Sequence, residues 1–357
     1  MQGSPDAIQA VSQRLERFVS ARLAEAADAG PLARPILDLS AATLQGGKRL
    51  RAAFCYWGWR AVTDASDTDE IVAASAALEV FHAAALVHDD IIDNSDTRRG
   101  RPATHRAFEA AHLAGGWTGD AAAYGRSSAV LAGDLLVAWS DDLFEEGIAD
   151  APADRARAAR RQYAEMRRDV TIGQYLDIAA ETVPAPEDEQ LDRALLVASF
   201  KSARYSVQQP LLIGAAIGGA RTEQQQALRA FGHPVGMAFQ LRDDVLGVFG
   251  DSAATGKPSG DDLREGKRTA LIAFARQALP ASVRRTLDEL VGDPDLDDAQ
   301  VRMLQSTIRD SGALDRVEEL IASYAHEADR ALSGAPLDNA SVGALRDLAR
   351  AAVDRVA

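Results

Sequence analysis

The stretch EIVAASAALEVFHAAALVHDDIIDNSDTRRGRP, residues 70–102, decides how the chain folds. Residues 71–87 are almost wholly apolar, with Glu79 and His82 as interruptions, and the run ends in aspartates. Nothing in it alternates as a half-buried strand does, so it reads as a helix. It is too polar for a lipid-facing span of about 20 residues, and the helix is expected to be buried in protein. On that helix Asp89 and Asp93 lie one turn apart on the same face, with Asp90 about 100° around. Carboxylates so placed repel one another unless solvent or a cation offsets them. Oxygen-only ligands suit Mg²⁺, which usually completes its shell with water or substrate phosphate. A solvated acidic helix end is the plain alternative. Against it stands RRGRP, residues 98–102, which brings anion-binding guanidiniums close to those oxygens.

The same helical character extends over the chain. Ala, Leu, Arg, Asp and Glu dominate its 357 residues, and aromatic residues make up only 6%. The expected class is all-α. Helical periodicity covers about 6–27, continues to Leu44, and returns over 48–63, 68–93, 120–147, 153–181, 188–218 and 222–249; four or five shorter helices follow the loop beginning at Gly250. No break is long or polar enough for an interdomain linker, so residues 1–357 are expected to form one large helical domain. A net charge of -14 excludes nonspecific nucleic-acid binding. Cys55 is the single cysteine, which excludes internal disulfides and cysteine-rich zinc sites. The N-terminal residues are amphipathic and lack signal-peptide character, so the cytoplasm is the expected compartment, with no transmembrane segment.

A second acidic pair, Asp243 and Asp244 in GMAFQLRDDVLGVFGD, again ends an apolar helical run, with Gln240 one turn before Asp244. Two such helix ends imply a metal clamp on a diphosphate. The motifs GGKRLR (46–51), EVFHAAALVHDDIIDNSDTRRGRP (79–102), LAGDLL (131–136), GQYLDI (173–178), FKSARYSVQQPLLIGA (200–215), FQLRDD (239–244) and TGKPSGDDLREGKRT (255–269) occur in this order. Together they resemble the trans-isoprenyl diphosphate synthases, most closely the bacterial geranylgeranyl diphosphate synthases.

The resemblance implies a helical bundle around a deep apolar cavity, assembled as a homodimer, with two or three substrate-bridged Mg²⁺ ions. By the same resemblance Asp89 and Asp93, helped by Asp90, hold metal on the allylic diphosphate, Asp243 does so from the opposite wall, and Asp244 assists. Arg98, Lys201, Ser202, Gln240, Lys257 and Lys267 match residues at that diphosphate. Lys48, Arg51, His82 and Arg99 match those for isopentenyl diphosphate. Asp89, Asp93, Arg98, Lys201 and Asp243 are the catalytic set, and Gln174 and Asp177 face the cavity. The implied reaction ionises the allylic C–O bond, and the isopentenyl double bond attacks the cation. Dry apolar walls protect that cation from water.

Product length is a matter of depth. Ala85 and Ala84, one turn below Asp89, leave room where short-chain family members often carry an aromatic. Phe81, about 12 Å below Asp89, is the candidate floor, and a C20 product is expected. The chain departs from the family at Gly247, where many relatives have the final aspartate of the second motif; Asp251 is a candidate substitute. The loop SGDDLREGK reads as solvated. His88, His105 and His112 read as structural, and Trp57, Trp59 and Trp139 as packing residues. Two rivals remain: a terpene cyclase on the same fold, which needs no second diphosphate site, and a noncatalytic partner subunit, which needs no metal carboxylates.

Overall fold

The computed structural model describes residues 5–250 and 259–353. They are almost entirely helical, as the sequence predicts. By its internal contacts the chain divides into two compact units, Gln2–Ala159 with Ile213–Ala220, and Arg160–Leu212 with Arg221–Ala357.

The first unit holds α1 (Pro5–Glu25), α2 (Arg34–Thr43), α3 (Leu50–Arg60), α4 (Asp69–Ile92), α5 (Thr104–Ala114) and α6 (Ala121–Ile148). Helix α4 is its axis. One side of α4 lies along α6, where small residues permit close approach: Gly147 packs on Ala73, Ser140 Oγ donates to the Ala77 carbonyl at 2.7 Å, and Gly133 leaves room for the His88 ring. Helix α1 contributes the buried stripe Ala7, Val11, Leu15 and Phe18. Each larger apolar side chain so buried stabilises the fold by about 1.5–3 kcal/mol. Among the described residues α4 alone is long and apolar enough to cross a membrane, and 72% of its most apolar window is buried inside the protein.

Helix α5 has no counterpart in the expected segments. Its sequence, THRAFEAAHLA, lies between two Gly-rich breaks and looks like part of them. It is held by tertiary packing: Phe108 and His112 are buried and meet Tyr124 of α6 edge-on and tilted.

The second unit takes up α7 (Ala153–Thr182) from Arg160 and holds α8 (Gln190–Val197), a π-helical segment Ala198–Gln208, and α9 (Gln209–Gly218) to Leu212. It continues with α10 (Thr222–Phe249), α11 (Asp261–Glu265), α12 (Ala270–Ala278), α13 (Ala281–Leu290), α14 (Asp298–Asp310), α15 (Ala313–Leu332) and α16 (Asn339–Val353). Its core includes Leu241, Val245, Leu263, Leu271, Leu304 and Ile321. Among the described residues five helices, α12–α16, follow the loop that ends at Lys267, within the four or five expected, and the short α11 lies inside that loop. Arg242 fastens α10 through a two-pronged pair with Glu318 of α15, the longer contact 2.6 Å.

Candidate active site

The end of α4 answers why acids and arginines crowd one stretch. Asp93 caps the helix, Asn94 follows in the left-handed region (φ 52°), and the Ser95 N–H returns to the Asp90 carbonyl at 2.9 Å, a Schellman stop. The chain then forms a two-residue hairpin, Thr97–Arg98 against Arg101–Pro102, with Arg99 (φ 53°) and Gly100 (φ 72°) at its tip. Positive φ at both tip residues closes the turn tightly and folds Arg98 back onto the helix end. Arg98 Nε donates to Asp90 Oδ1 at 2.8 Å, and its Nη2 lies 3.6 Å from Asp89 Oδ2. Asp90 is buried and engaged by Arg98, so it anchors the arginine, while Asp89 and Asp93 are partly exposed.

Behind that tip lies a cationic cradle. Arg49 adopts left-handed geometry (φ 51°) just before α3, and Gly47 approaches the Arg99 guanidinium so closely that a β-carbon there would sit 3.1 Å from Nη1. His82 is held well below its ordinary pKa, first by burial and then by the charges of Arg51, Arg99, Arg98 and Arg49, so it is neutral at pH 7. Besides Asp90 at Arg98, a second buried carboxylate stands among these cations. Glu79 accepts the Ala52 N–H at 3.0 Å and lies 3.8 Å from Arg49. Lys48 is exposed beside them. In sequence Glu79 looks like a mere interruption of an apolar run, although a carboxylate inside such a helix has to be partnered.

The expected chain-length residues separate around α4. At 100° per residue, Ala85 lies about 40° from Asp89, and Phe81 about 80°. Ala84 is about 140° away, on the side that meets α6, and is buried there.

In the second unit Lys201 is presented by the π segment. A β-carbon at Gly173 of α7 would stand 2.6 Å from Lys201 Cα, and one at Gly236 of α10 would overlap Ala203, so these two glycines let α7 and α10 close on the segment. Lys201 Nζ donates to Asp177 Oδ2 at 2.5 Å. On α10, Asp243 is partly exposed, Asp244 is buried, and Gln240 Nε2 donates to Asp244 Oδ1 at 2.6 Å. Ser202 is partly buried, and Lys267 Nζ lies 3.2 Å from Glu265 Oε2. Lys257 and Asp251 lie outside the described residues.

The family model described as polyprenyl synthetase matches residues 34–308. The chain belongs to the polyprenyl synthetase family. It is a prenyltransferase acting on isoprenyl diphosphates. It is 32% identical to the geranylfarnesyl diphosphate synthase of Aeropyrum pernix, over 85% of this chain and 88% of that one. It is equally 32% identical to the geranylgeranyl diphosphate synthase of Methanosarcina mazei, over 79% and 78%. The geranylgeranyl pyrophosphate synthase of Corynebacterium glutamicum, solved with isoprenyl diphosphate and magnesium, superposes with a TM-score of 0.92 at 36% identity, covering 98% of both chains.

For a polyprenyl synthetase the donor set is informative. Among the described residues no three Asp, Glu, His or Cys side chains converge into a metal cage. Each acidic helix end taken by itself, Asp89 with Asp93 on α4 and Asp243 on α10, presents the oxygen ligands that suit a Mg²⁺ completing its shell with substrate phosphate. The α10 site is also short of positive charge: Asp244 is pushed up to about 8, first by burial, then by Asp262, with Asp243 and Asp177 adding to it. A divalent cation would relieve that crowding.

A prediction follows for metal-free protein. The unfolded chain loses the Asp244 proton near pH 3.8, the folded chain near 8, so between these values the folded state holds the extra proton. Stability therefore falls as pH rises across that window. Asp244→Asn is expected to flatten the fall, measured as urea unfolding midpoints at pH 5 and pH 8. Equal slopes for both proteins would refute it.

Proposed function

We propose that this prenyltransferase condenses isopentenyl diphosphate with an allylic diphosphate of 5 to 15 carbons to give geranylgeranyl diphosphate, C20. The observation that carries this reading is the junction at the end of α4. A carboxylate tip, Asp89 and Asp93, adjoins a separate arginine set, Arg49, Arg51 and Arg99, around a neutral His82. Metal-bridged and directly paired diphosphates need these two chemistries, and a reaction joining two diphosphates needs both. A terpene cyclase has no use for the second, and a noncatalytic subunit none for the first.

In this reading Asp89, Asp93 and Asp243 hold Mg²⁺ on the allylic diphosphate, with Asp90, Asp244 and Gln240 supporting them. Bound there, two or three Mg²⁺ ions supply charge that stabilises the departing pyrophosphate. Arg98, Lys201, Ser202, Lys257 and Lys267 bind the same group, and Lys48, Arg51, His82 and Arg99 bind the isopentenyl diphosphate. As the allylic C–O bond breaks, its electron pair leaves with pyrophosphate. The isopentenyl double bond forms the new C–C bond, and a proton lost to the released pyrophosphate restores the alkene. Apolar walls keep water from the cation. The chain works as one domain, as a homodimer, in the cytoplasm.

Incubation with labelled isopentenyl diphosphate, Mg²⁺ and primers of 5, 10 and 15 carbons tests the reaction and its product length, with products sized by mass spectrometry. A C20 product is expected, lengthened in Phe81→Ala. A cyclic hydrocarbon, or no elongation, would overturn the reading. A C15 or C25 product would overturn the length alone.

A further inference from the structure

We propose that a cleft at the end of α7 binds a further diphosphate group, outside the acidic helix ends and the arginine cradle. The cleft measures about 330 Å³ and lies wholly in the second unit, between the α7–α8 loop, α8, α12 and α13. That volume is at the lower end of small-ligand sites and suits a compact anion better than a long isoprenoid tail.

Three guanidiniums, Arg193, Arg268 and Arg276, line it against two carboxylates, Glu181 and Asp288. In a chain of net charge -14 such a local excess of positive charge marks a place for an anion. Arg276 is already engaged. Its Nε donates to Gln190 Oε1 at 2.7 Å, and it is paired with Asp288, so it builds the back wall. The other two are less committed. Among the described residues Arg268 makes neither a hydrogen bond nor an ion pair. Arg193 makes only long contacts, to the carbonyls of Val183 at 3.3 Å and Pro184 at 3.4 Å and to Glu189 at 3.5 Å. Burial, and then the charges of Arg268 and Arg284, hold Arg276 below its ordinary pKa, as like charges do where no anion stands between them. Thr269, which also lines the cleft, heads α12, so the unpaired N–H groups of that helix's first turn add to the same field. Val183, Pro184, Ile272 and Ala273 supply an apolar wall beside the guanidiniums, suited to the first carbons attached to a diphosphate. Two sources share this chemistry: the head group of an isoprenyl diphosphate, and the free pyrophosphate that transfer from one releases.

The test is isothermal titration of the whole protein with inorganic pyrophosphate, and in a second arm with isopentenyl diphosphate, both in Mg²⁺-free buffer with a chelator. Removing the metal silences the acidic helix ends and leaves the cradle around His82 and this cleft. Arg193→Gln combined with Arg268→Gln is expected to weaken one binding event roughly 10- to 100-fold and to leave the other intact, with kcat and both KM values unchanged. A loss confined to the pyrophosphate arm assigns the cleft to the free anion, and one confined to the isopentenyl diphosphate arm assigns it to the head group. Identical titrations of parent and variant in both arms would overturn the proposal. A second measurement needs no variant. On the parent protein, pyrophosphate or isopentenyl diphosphate is expected to shield Arg193 and Arg268 from phenylglyoxal, mapped by peptide mass spectrometry, and to leave Arg346, outside the cleft, as reactive as before. Unshielded Arg193 and Arg268, or equal shielding of Arg346, would overturn it as well.

Discussion

Asp89→Ala is expected to lower kcat/KM by about 10³-fold, equivalent to about 4 kcal/mol of barrier, with little change in the unfolding temperature. The asymmetry follows from what the carboxylate touches. Its side chain is partly exposed, and its pair with Arg98 is a long 3.6 Å, so folding loses little when it goes. In the proposed mechanism, by contrast, the pyrophosphate leaving group would lose a metal anchor at the moment its charge develops. Asp90→Asn should behave differently, because Asp90 is buried and holds Arg98. Its loss frees the arginine and leaves a buried amide poorly matched to a guanidinium, lowering stability and activity together. Steady-state kinetics beside thermal unfolding checks both. An Asp89→Ala protein retaining a tenth of the parent rate would show that the helix tip does not hold the metal.

The second large effect is expected at Glu79. Truncation to Ala leaves the Ala52 N–H and the Arg49 guanidinium without their buried carboxylate, which should lower stability by about 3 kcal/mol. Glu79→Gln keeps the hydrogen-bond geometry and removes only the charge. Arg49 then loses its buried counter-charge, and the positive potential around His82 rises before any diphosphate arrives. The expected result is a KM for isopentenyl diphosphate raised about tenfold while the KM for the allylic primer stays unchanged. A fall in kcat with both KM values unmoved would assign Glu79 to general folding and not to the cradle.

What sequence could disclose follows from the range of the interactions involved. Helix α4 was legible because its apolar run and abrupt acidic end are local. The pairing of Asp89 with Asp93 needs only the pitch of a helix. Helix α5 was not legible, since THRAFEAAHLA owes its place to α6 through Phe108 and His112. The order of residues hints that Arg98 and the aspartates belong together. It does not say that Arg98 settles on Asp90, which depends on a tight hairpin with Arg99 in an uncommon conformation. Asp262 lies fifteen residues from Gly247, and only the fold of α11 makes them neighbours. Ala84 and Ala85 are adjacent in sequence and equivalent by depth, yet helical rotation sends them to different surroundings.

The π segment Ala198–Gln208 carries a consequence for how this family member can vary. Its widened turns hold more residues per revolution than the α-helices on either side. Losing a single residue there would let the stretch rewind as ordinary helix. Everything beyond the deletion would then swing by about 100° relative to Lys201. Natural insertions and deletions should therefore be absent between Ala198 and Gln208, even where the surrounding loops change length freely.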